Sequence, residues 1–283
     1  MNISDLFTRV ESLTVDETKK IMDEGEQGTV TLLDVREPSE YEEGHIPGAE
    51  FMPLSGLQDS LRNLDVSGKI ITYCRRGPRS KSAAALLKRH GCDDVSYMDG
   101  GIDAWNGLVA SGTYEAGLIL LEGRETIEEL LMLAWSLEDG TGMFYTQMRD
   151  LSDDDEAKQI FESLIKAEQM HKSKLSEAFR HIKGREITDD TVQDTSIRGY
   201  MEGGVSIEEV VSWIKKENAS LQDILEISMQ VETNSLDLYM KMLREVEDEL
   251  AKKALNALIE EEKSHLSRLG KLLGSKIKSE KHG

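Results

Sequence analysis

The stretch KIITYCRRGPRSKSAAALLKRHG, residues 69–91, leads from a β-branched apolar run to an alanine-rich segment through a single cysteine. Residues 69–74 have the composition of a buried strand, and residues 79–91 have that of a helix ended by glycine. The loop between them must wrap around Cys74, which brings backbone amides and the positive end of the helix toward its sulfur. We therefore predict a strand, an anion-binding loop and a helix in this order.

Other short apolar runs bounded by turn residues lie on either side of this stretch. TVTLLDV at residues 29–35 and VSYMDGG at residues 95–101 are each predicted to contribute a strand. Strands that alternate with helices indicate an α/β domain whose mostly parallel sheet is flanked by helices. We place this domain at residues 1–112, which contain all four prolines of the chain.

The rest of the chain has long segments with the 3.6-residue periodicity of helices. They are predicted at residues 126–149, 153–182, 206–246, with a break near Asn218, and 248–273. Four long helices with one long connection indicate an all-α four-helix bundle. We assign residues 113–124 to a linker, residues 125–275 to the bundle and residues 276–283 to a disordered tail.

The composition excludes several classes of partner. The formal net charge of −20 repels nucleic acid and anionic membranes, so we expect neither as a partner. No apolar run reaches the roughly 18 residues of a membrane span, and the first residues lack the pattern of a signal peptide. Two cysteines cannot build a disulfide framework. A cytoplasmic location is the expectation.

Cys74 lies in surroundings that favour the thiolate over the thiol. Loop amides and the helix N-terminus face it, and Arg75, Arg76 and Arg79 add positive charge nearby. A buried structural cysteine at a strand end is the alternative. We favour the reactive thiolate because of the composition of the loop.

These residues resemble the rhodanese family of sulfurtransferases over residues 10–112. The resemblance rests on LLDVREPSEYEEGHIPGA (32–49), YCRRGPRSKSAA (73–84) and MDGGIDAW (98–105). It implies that Cys74 takes sulfane sulfur from a small donor such as thiosulfate, as a persulfide, and passes it to a thiol or cyanide acceptor. The implied substrate-binding residues are Arg75, Arg76, Gly77, Arg79 and Ser80.

The length of the loop separates this domain from related phosphatases. Four residues lie between Cys74 and Arg79, whereas the related phosphatases have five and so make a loop large enough for phosphate. Cys92 matches no motif and is interpreted as a core or surface thiol. Three further motif residues are interpreted as structural, namely Asp34, Arg36 and His45.

Two of the predicted helices carry Glu-x-x-His, as EQMH and EKSH. Residues three apart share a helix face, so each pair can bind one metal ion. A glutamate from each of two helices with Glu-x-x-His from each of two others is the ligand set of a carboxylate di-iron site. Solvated surface charge is the alternative, and we favour the metal site. Its predicted ligands are Glu138, Glu168, His171, Glu232, Glu262 and His265.

Tyr145 and Tyr239 each follow the ligand glutamate of their helix by seven residues, which is two turns along the same face. They are interpreted as neighbours of the metal ligands, and hydrogen-bonding and redox roles both remain open. Gly140 and Gly142 lie in the first of these helices, where each costs about 1 kcal/mol relative to alanine. Close approach to a neighbouring helix or to the metal centre would explain them.

The helical half resembles the rubrerythrin branch of the ferritin-like superfamily over residues 120–275. The resemblance implies two iron ions per bundle, which manganese or zinc could replace, and reaction with peroxide or dioxygen. It also implies a homodimer. Two features depart from the family. The chain has no Cys-x-x-Cys iron domain, and Ser235 stands where rubrerythrins carry an additional glutamate. An external electron donor is therefore expected, and the redox-linked ligand switch in which the additional glutamate takes part in rubrerythrins is not expected here.

Three functions remain open at this point. The first is a bifunctional redox protein that transfers sulfane sulfur through Cys74 and reduces peroxide or dioxygen at the di-iron centre. The second is iron oxidation, storage or delivery coupled to sulfur donation for cluster assembly. The third is a sulfurtransferase acting alone, with the bundle as a dimerisation scaffold.

Overall fold

The computed structural model describes residues 10–25, 29–57, 68–111, 126–188, 199–201 and 204–280. The chain divides into two compact units, Met1–Tyr114 and Glu115–Gly283. The boundary falls close to the predicted end of the α/β domain. The predicted linker at residues 113–124 lies outside the described residues.

The first unit is a five-stranded sheet with the strand order β1-β5-β4-β2-β3, in which all neighbouring strands run parallel. The strands are β1 (Glu11–Leu13), β2 (Val30–Asp34), β3 (Glu50–Phe51), β4 (Lys69–Tyr73) and β5 (Val95–Met98). The helices among the described residues of this unit are α1 (Val15–Glu24), α2 (Pro38–Glu43), α3 (Pro78–Arg89) and α4 (Gly101–Ala104). The predicted α/β fold is confirmed.

Both faces of this sheet are covered, as in other parallel sheets. Successive residues of a strand point to opposite faces, so Leu32 and Leu33 of β2 enter different apolar clusters. Ile70 and Ile71 of β4 divide in the same way. Helix α3 contributes Leu87 to one of these clusters. The apolar runs of β2 and β4 therefore reflect burial on both sides of the sheet.

In its described residues, the second unit is mainly helical and has one short antiparallel pair of strands. Its helices are α5 (Ile127–Leu151), α6 (Asp155–Lys183), α7 (Ile207–Glu217), α8 (Leu221–Glu245) and α9 (Glu249–Glu280), and its strands are β6 (Tyr200–Met201) and β7 (Val205–Ser206). The four long helices share one core, to which they contribute Phe144, Leu164, Leu225 and Leu269. The predicted bundle is confirmed.

The third predicted helix is broken where the sequence indicates a break. Asn218 adopts a left-handed conformation with φ of 51° and ends α7. Ser220 then caps α8, because its side chain accepts a hydrogen bond from the Asp223 amide. One predicted segment therefore becomes a short helix followed by a long one.

The prediction of a disordered tail at residues 276–283 is wrong for its first five residues, because α9 continues to Glu280. Lys276 holds the end of the helix, since its Nζ is 2.8 Å from Asp154 Oδ2 and 2.9 Å from Glu156 Oε2 at the start of α6. Residues 281–283 lie outside the described part of the chain. Among the described helices, none has the length and apolarity needed to cross a membrane.

Candidate functional sites

Cys74 directly follows β4, at the carboxyl end of the sheet, and α3 begins four residues later. The connecting loop closes tightly at Gly77, whose φ of 114° is a conformation that favours glycine. The Gly77 amide donates a hydrogen bond of 3.1 Å to Cys74 Sγ. The Ser80 hydroxyl lies 3.5 Å from the same sulfur and 2.8 Å from the Gly77 carbonyl oxygen. The predicted cradle of donors around the sulfur is present.

This cradle lowers the pKa of the Cys74 thiol, although the side chain is only 1% exposed. Burial by itself raises the pKa, because it disfavours the charged form. Hydrogen bonds from the Ser80 side chain, and from the backbone amides of Ser80, Gly77 and Arg76, outweigh burial. The pKa of Cys74 therefore lies below its ordinary value, so the thiolate forms more readily than on a free cysteine.

The three loop arginines are each paired with a carboxylate. Arg79 donates to Glu40 through Nη1 to Oε2 at 2.6 Å and Nη2 to Oε1 at 2.7 Å, and these bonds lower the pKa of Glu40 to about 2. Arg75 and Arg76 both donate through Nε to Asp103, at 3.4 and 2.8 Å. Their role in substrate binding stays a prediction, and it requires that these pairs open or share the substrate.

The third sequence motif holds the cradle loop in place. The Ile102 amide donates to the Cys74 carbonyl oxygen at 2.8 Å, and the Asp103 amide donates to the Arg75 carbonyl oxygen at 3.0 Å. A Cβ at Gly101 would lie 2.2 Å from the Cys74 carbonyl oxygen. Only glycine permits this approach, so the turn that starts α4 positions the backbone on which the sulfur is carried.

The other motif residues organise the sheet next to the loop. Arg36 Nε lies 3.0 Å from Asp34 Oδ1, and its Nη2 donates to the Gly44 carbonyl oxygen at 2.6 Å. His45 stacks on Tyr41, with ring centroids 3.7 Å apart. Asp34, Arg36 and His45 are all buried. These contacts lie within or beside the β2–β3 connection, and they fit the interpretation of all three residues as structural.

Cys92 is buried and free, and it packs in an apolar cluster with Leu87 and Val95. Burial, and then the charge of Asp93, raise the pKa of its thiol. The surroundings of Cys92 therefore disfavour the thiolate, whereas those of Cys74 favour it. The interpretation of Cys92 as a core thiol is the one that the packing supports.

The six predicted metal ligands meet inside the helical bundle. Glu138 comes from α5, Glu232 from α8, and the two Glu-x-x-His pairs from α6 and α9. All six side chains are at most 1% exposed. Their ligand atoms form two overlapping groups whose atoms lie within 4.8 Å of one another, Glu138 with Glu168, His171 and Glu262, and Glu168 with Glu232 and His265.

Both imidazoles turn the same nitrogen toward the carboxylates. His171 Nδ1 is 3.0 Å from oxygens of both Glu138 and Glu168. His265 Nδ1 is 3.1 Å from Glu232 Oε2 and 3.4 Å from Glu262 Oε2. The two rings are nearly parallel, with centroids 5.3 Å apart. Nδ1 is therefore the atom that each histidine can offer to a metal ion.

The two tyrosines cross the bundle to the glutamate of the opposite half. Tyr239 donates to Glu138 Oε1 at 2.5 Å, and Tyr145 donates to Glu232 Oε1. The site has a twofold repeat in the sequence, because each ligand or tyrosine on α5 and α6 recurs 94 positions later on α8 or α9. The recurring pairs are Glu138 and Glu232, Tyr145 and Tyr239, Glu168 and Glu262, and His171 and His265. The predicted proximity of both tyrosines to the ligands is observed.

The charges of the cluster fit cations. Burial raises the pKa of Glu168 well above its ordinary value, and the Glu138 carboxylate raises it further. Burial lowers the pKa of His171, but Glu138 and Glu168 outweigh it and raise that pKa to about 12. Both Glu168 oxygens are buried and accept no hydrogen bond from the described residues. Four buried carboxylates with two imidazoles form a donor set suited to iron, manganese or zinc.

Close packing explains Gly140 of α5 but not Gly142. A Cβ at Gly140 would lie 2.0 Å from the Tyr200 carbonyl oxygen of β6. A Cβ at Gly142 would be 3.5 Å from Glu168 Cβ, which is ordinary contact. Gly140 therefore admits the strand pair, whereas Gly142 lies beside a metal ligand with room for a methyl group, and the structure gives no steric reason for this glycine.

Sequence reasoning missed three carboxylates at these sites. Glu40 and Asp103 hold the loop arginines, and both stand inside motifs that the sequence displays. Glu261 lies next to a predicted ligand, with Oε2 2.8 Å from His171 Nε2, although the two atoms are not aligned as a hydrogen bond in this structure. It stands in a run of three glutamates, so no sequence signal distinguishes it.

Two family models match the chain, a rhodanese-like domain at residues 14–108 and rubrerythrin at residues 129–273. The uncharacterized protein YqhL of Bacillus subtilis (strain 168) is 38% identical over 78 residues, which are 28% of this chain and 62% of that relative. The chain thus matches less than two thirds of the length of that relative.

Solved structures of rhodanese-like proteins are similar to part of the chain. A rhodanese-like domain protein from Staphylococcus aureus is 27% identical and covers 37% of this chain and 100% of its own, with a TM-score of 0.34. A rhodanese-related protein from Thermoplasma volcanium is 27% identical and covers 35% of this chain and 97% of its own, with a TM-score of 0.32. With the family match across the bundle, the chain belongs to the rubrerythrin family and carries a rhodanese-like domain ahead of its rubrerythrin domain.

Proposed function

We propose that this protein is a bifunctional redox enzyme that transfers sulfane sulfur through a Cys74 persulfide and reduces peroxide or dioxygen at a di-iron centre in the bundle. One observation supports each activity. Cys74 Sγ faces the Gly77 amide and the Ser80 hydroxyl, and the bundle encloses four carboxylates and two imidazoles.

Sulfur transfer takes two displacements at sulfur. The Cys74 thiolate attacks the outer sulfur of a donor such as thiosulfate, a new S–S bond forms, and sulfite leaves with the electron pair of the broken S–S bond. A nucleophile such as cyanide or a thiolate then attacks the outer sulfur of the persulfide. That sulfur leaves on the acceptor, and the Cys74 thiolate is restored. No external electrons are consumed in this cycle with cyanide as acceptor.

The loop supports both displacements with fixed dipoles. The Gly77 amide and the Ser80 hydroxyl stabilise negative charge at Sγ before attack. The N-terminus of α3, which begins at Pro78, adds the positive end of its dipole. Because Cys74 is only 1% exposed, a donor must reach the sulfur through the mouth of the loop.

In the bundle, two iron ions held by the six ligands would supply the electrons and Lewis acidity for reducing peroxide or dioxygen. The chain itself orients the ligands. Tyr145 and Tyr239 fix the carboxylates of Glu232 and Glu138 from opposite sides, and buried Phe144 and Phe161 belong to the apolar core beside Tyr145. Tyrosine hydroxyls at this position can also hold a proton near the reacting oxygen.

Reduction of one hydrogen peroxide to two waters consumes two electrons and two protons. The chain has only two cysteines, both assigned other roles, so we propose that a separate redox protein or small reductant supplies the electrons. The Ser235 hydroxyl donates a hydrogen bond of 2.9 Å to the Val231 carbonyl oxygen, and serine offers no carboxylate to a metal ion. The fifth glutamate of the rubrerythrin pattern is therefore absent, and the six ligands alone must serve both oxidation states.

The test combines metal analysis with peroxide consumption. Purified full chain should bind two iron ions, and its reduced form should consume hydrogen peroxide with oxidation of both ions and no release of iron. Iron that leaves on oxidation, or that exchanges freely, would favour iron handling instead. A bundle without bound iron after anaerobic reconstitution would favour the scaffold function and contradict the proposal.

A further inference from the structure

We propose that Glu261 is a positioning residue for His171, and that it makes the two metal positions of the bundle unequal in affinity. The inference rests on the di-iron site proposed above. It concerns a residue outside the six ligands and a difference between two halves that are otherwise matched.

The contact is with the nitrogen of His171 that faces away from the cluster. His171 Nε2 is 2.8 Å from Glu261 Oε2, and both atoms are buried without an aligned hydrogen-bond partner among the described residues. A metal ion on Nδ1 leaves the single proton of the neutral imidazole on Nε2. Glu261 is then the acceptor that this proton faces, and the contact sets the tautomer and the orientation of the ring.

Glu261 is itself held in place by a cation. Lys174 Nζ is 2.5 Å from Glu261 Oε1, one helical turn beyond His171 on α6. The two side chains are about one third exposed, at 36% for Glu261 and 31% for Lys174. A chain of contacts thus runs from the partly exposed Lys174 through Glu261 to a fully buried imidazole. Carboxylates in this position typically change metal affinity by about 10- to 100-fold.

The other half of the bundle lacks this arrangement. The position 94 residues before Glu261 is Ala167, whose side chain has no acceptor, although all four ligand and tyrosine positions recur at that spacing. Around His265, the carboxylates within 4.0 Å approach Nδ1, and in the described part of the chain none approaches Nε2. Among the described residues, a carboxylate therefore lies behind the imidazole of His171 and not behind that of His265.

The test is a titration of the metal-free full chain with Co(II), read by calorimetry and by the visible spectrum. The wild type should bind Co(II) in two resolved steps. Glu261→Gln, which is close to isosteric, should weaken the tighter step by about 10- to 100-fold and leave the weaker step unchanged. His171→Ala identifies the step that belongs to His171, and it should be the same one.

Glu260→Gln is the matched control. Glu260 is the neighbouring residue on α9 and pairs with Lys263 at the surface. Its substitution by glutamine removes the same charge as Glu261→Gln. The control variant should bind Co(II) as the wild type does. Equal weakening of both steps in Glu261→Gln, no weakening, or a single class of sites in the wild type would each overturn the role of Glu261. A wild-type chain that binds no Co(II) would overturn the metal site itself, and with it this inference.

Discussion

At Cys74, two physical effects act in opposite directions on one thiol. Burial disfavours the thiolate, whereas the Ser80 hydroxyl and three backbone amides favour it, and the hydrogen bonds prevail. The arginines that surround the cysteine in the sequence are held by Glu40 and Asp103 instead. The reactivity of this residue thus depends on short-range donors more than on the net charge of the loop.

Replacing Cys74 should abolish sulfur transfer without affecting the metal site of the bundle. Cys74→Ser removes the attacking sulfur, so transfer from thiosulfate to cyanide should fall to background while the far-ultraviolet spectrum and iron content stay unchanged. Cys92→Ala is the control, because Cys92 lies in the core with a raised pKa. If Cys74→Ser retained sulfur transfer and Cys92→Ala lost it, the reactive sulfur would be that of Cys92.

The lowered pKa predicts how the reactivity depends on pH. A depressed pKa leaves the thiolate populated at lower pH, so the alkylation rate of Cys74 by iodoacetamide, in a Cys92→Ala background, should reach half its maximum below the ordinary thiol pKa of about 8.5. Ser80→Ala removes one donor worth about 1 kcal/mol and should raise the midpoint by up to about one pH unit. A wild-type midpoint at or above about 8.5 would contradict the cradle.

The residues that could be predicted from the sequence are those whose chemistry is rare. A cysteine in an arginine-rich turn and two Glu-x-x-His pairs stand out in any chain, and these side chains do converge in the fold. Glu40, Asp103 and Glu261 could not be identified, because the chain has 54 acidic residues and only tertiary packing selects their partners. The paired state of the loop arginines was hidden for the same reason.

At the scale of elements, the start of α4 and the cradle loop are built as one piece. Amides of Ile102 and Asp103 bind carbonyl oxygens of the loop, and Gly101 makes the approach sterically possible. Long periodic helices were predictable to within a few residues, whereas short β1, β3 and α4 carry too few residues for a pattern. The extension of α9 to Glu280 depends on contacts of Lys276 with α6, which no local pattern reveals.

Gly101→Ala tests whether this position requires glycine only for its positive φ or also for lack of space around the Cβ. Gly101→Ala combines a positive φ of 59° with a Cβ 2.2 Å from the Cys74 carbonyl oxygen. Gly91→Ala has a φ of 97° but nothing within 4 Å of its Cβ, so it carries backbone strain alone, about 1–3 kcal/mol. Urea unfolding should show the larger loss for Gly101→Ala, which should also lose sulfur transfer. Equal losses of stability with full transfer in both variants would argue against an anchored loop.

At the scale of the whole molecule, each unit has its own core and its own reactive group. The parallel sheet buries apolar residues on both faces, and the bundle encloses a core drawn from four long helices. We expect the two activities to be separable for this reason. The bundle also exposes Met143, Met170 and Trp213, and a contiguous apolar patch that includes such residues would be suited to an interface.

We predict a homodimer, and light scattering of the full chain at micromolar concentration should give twice the mass of 31.7 kDa. Charge at the exposed methionines would weaken such an interface, so Met170→Glu should shift the mass toward the monomer if this surface is used. A wild-type chain with the mass of a monomer would contradict the prediction.

The independence of the two sites is tested by measuring iron content and sulfur transfer on one preparation of the double variant Glu168→Ala, His171→Ala. Its matched control is Glu260→Ala, Lys263→Ala, an exposed pair with the same spacing on α9. The double variant should lose most of its iron, because it removes an imidazole and the carboxylate shared by both ligand groups, while thiosulfate-to-cyanide transfer stays at the wild-type rate. Wild-type iron in the double variant, or loss of iron and transfer together in a folded chain, would contradict two separate sites.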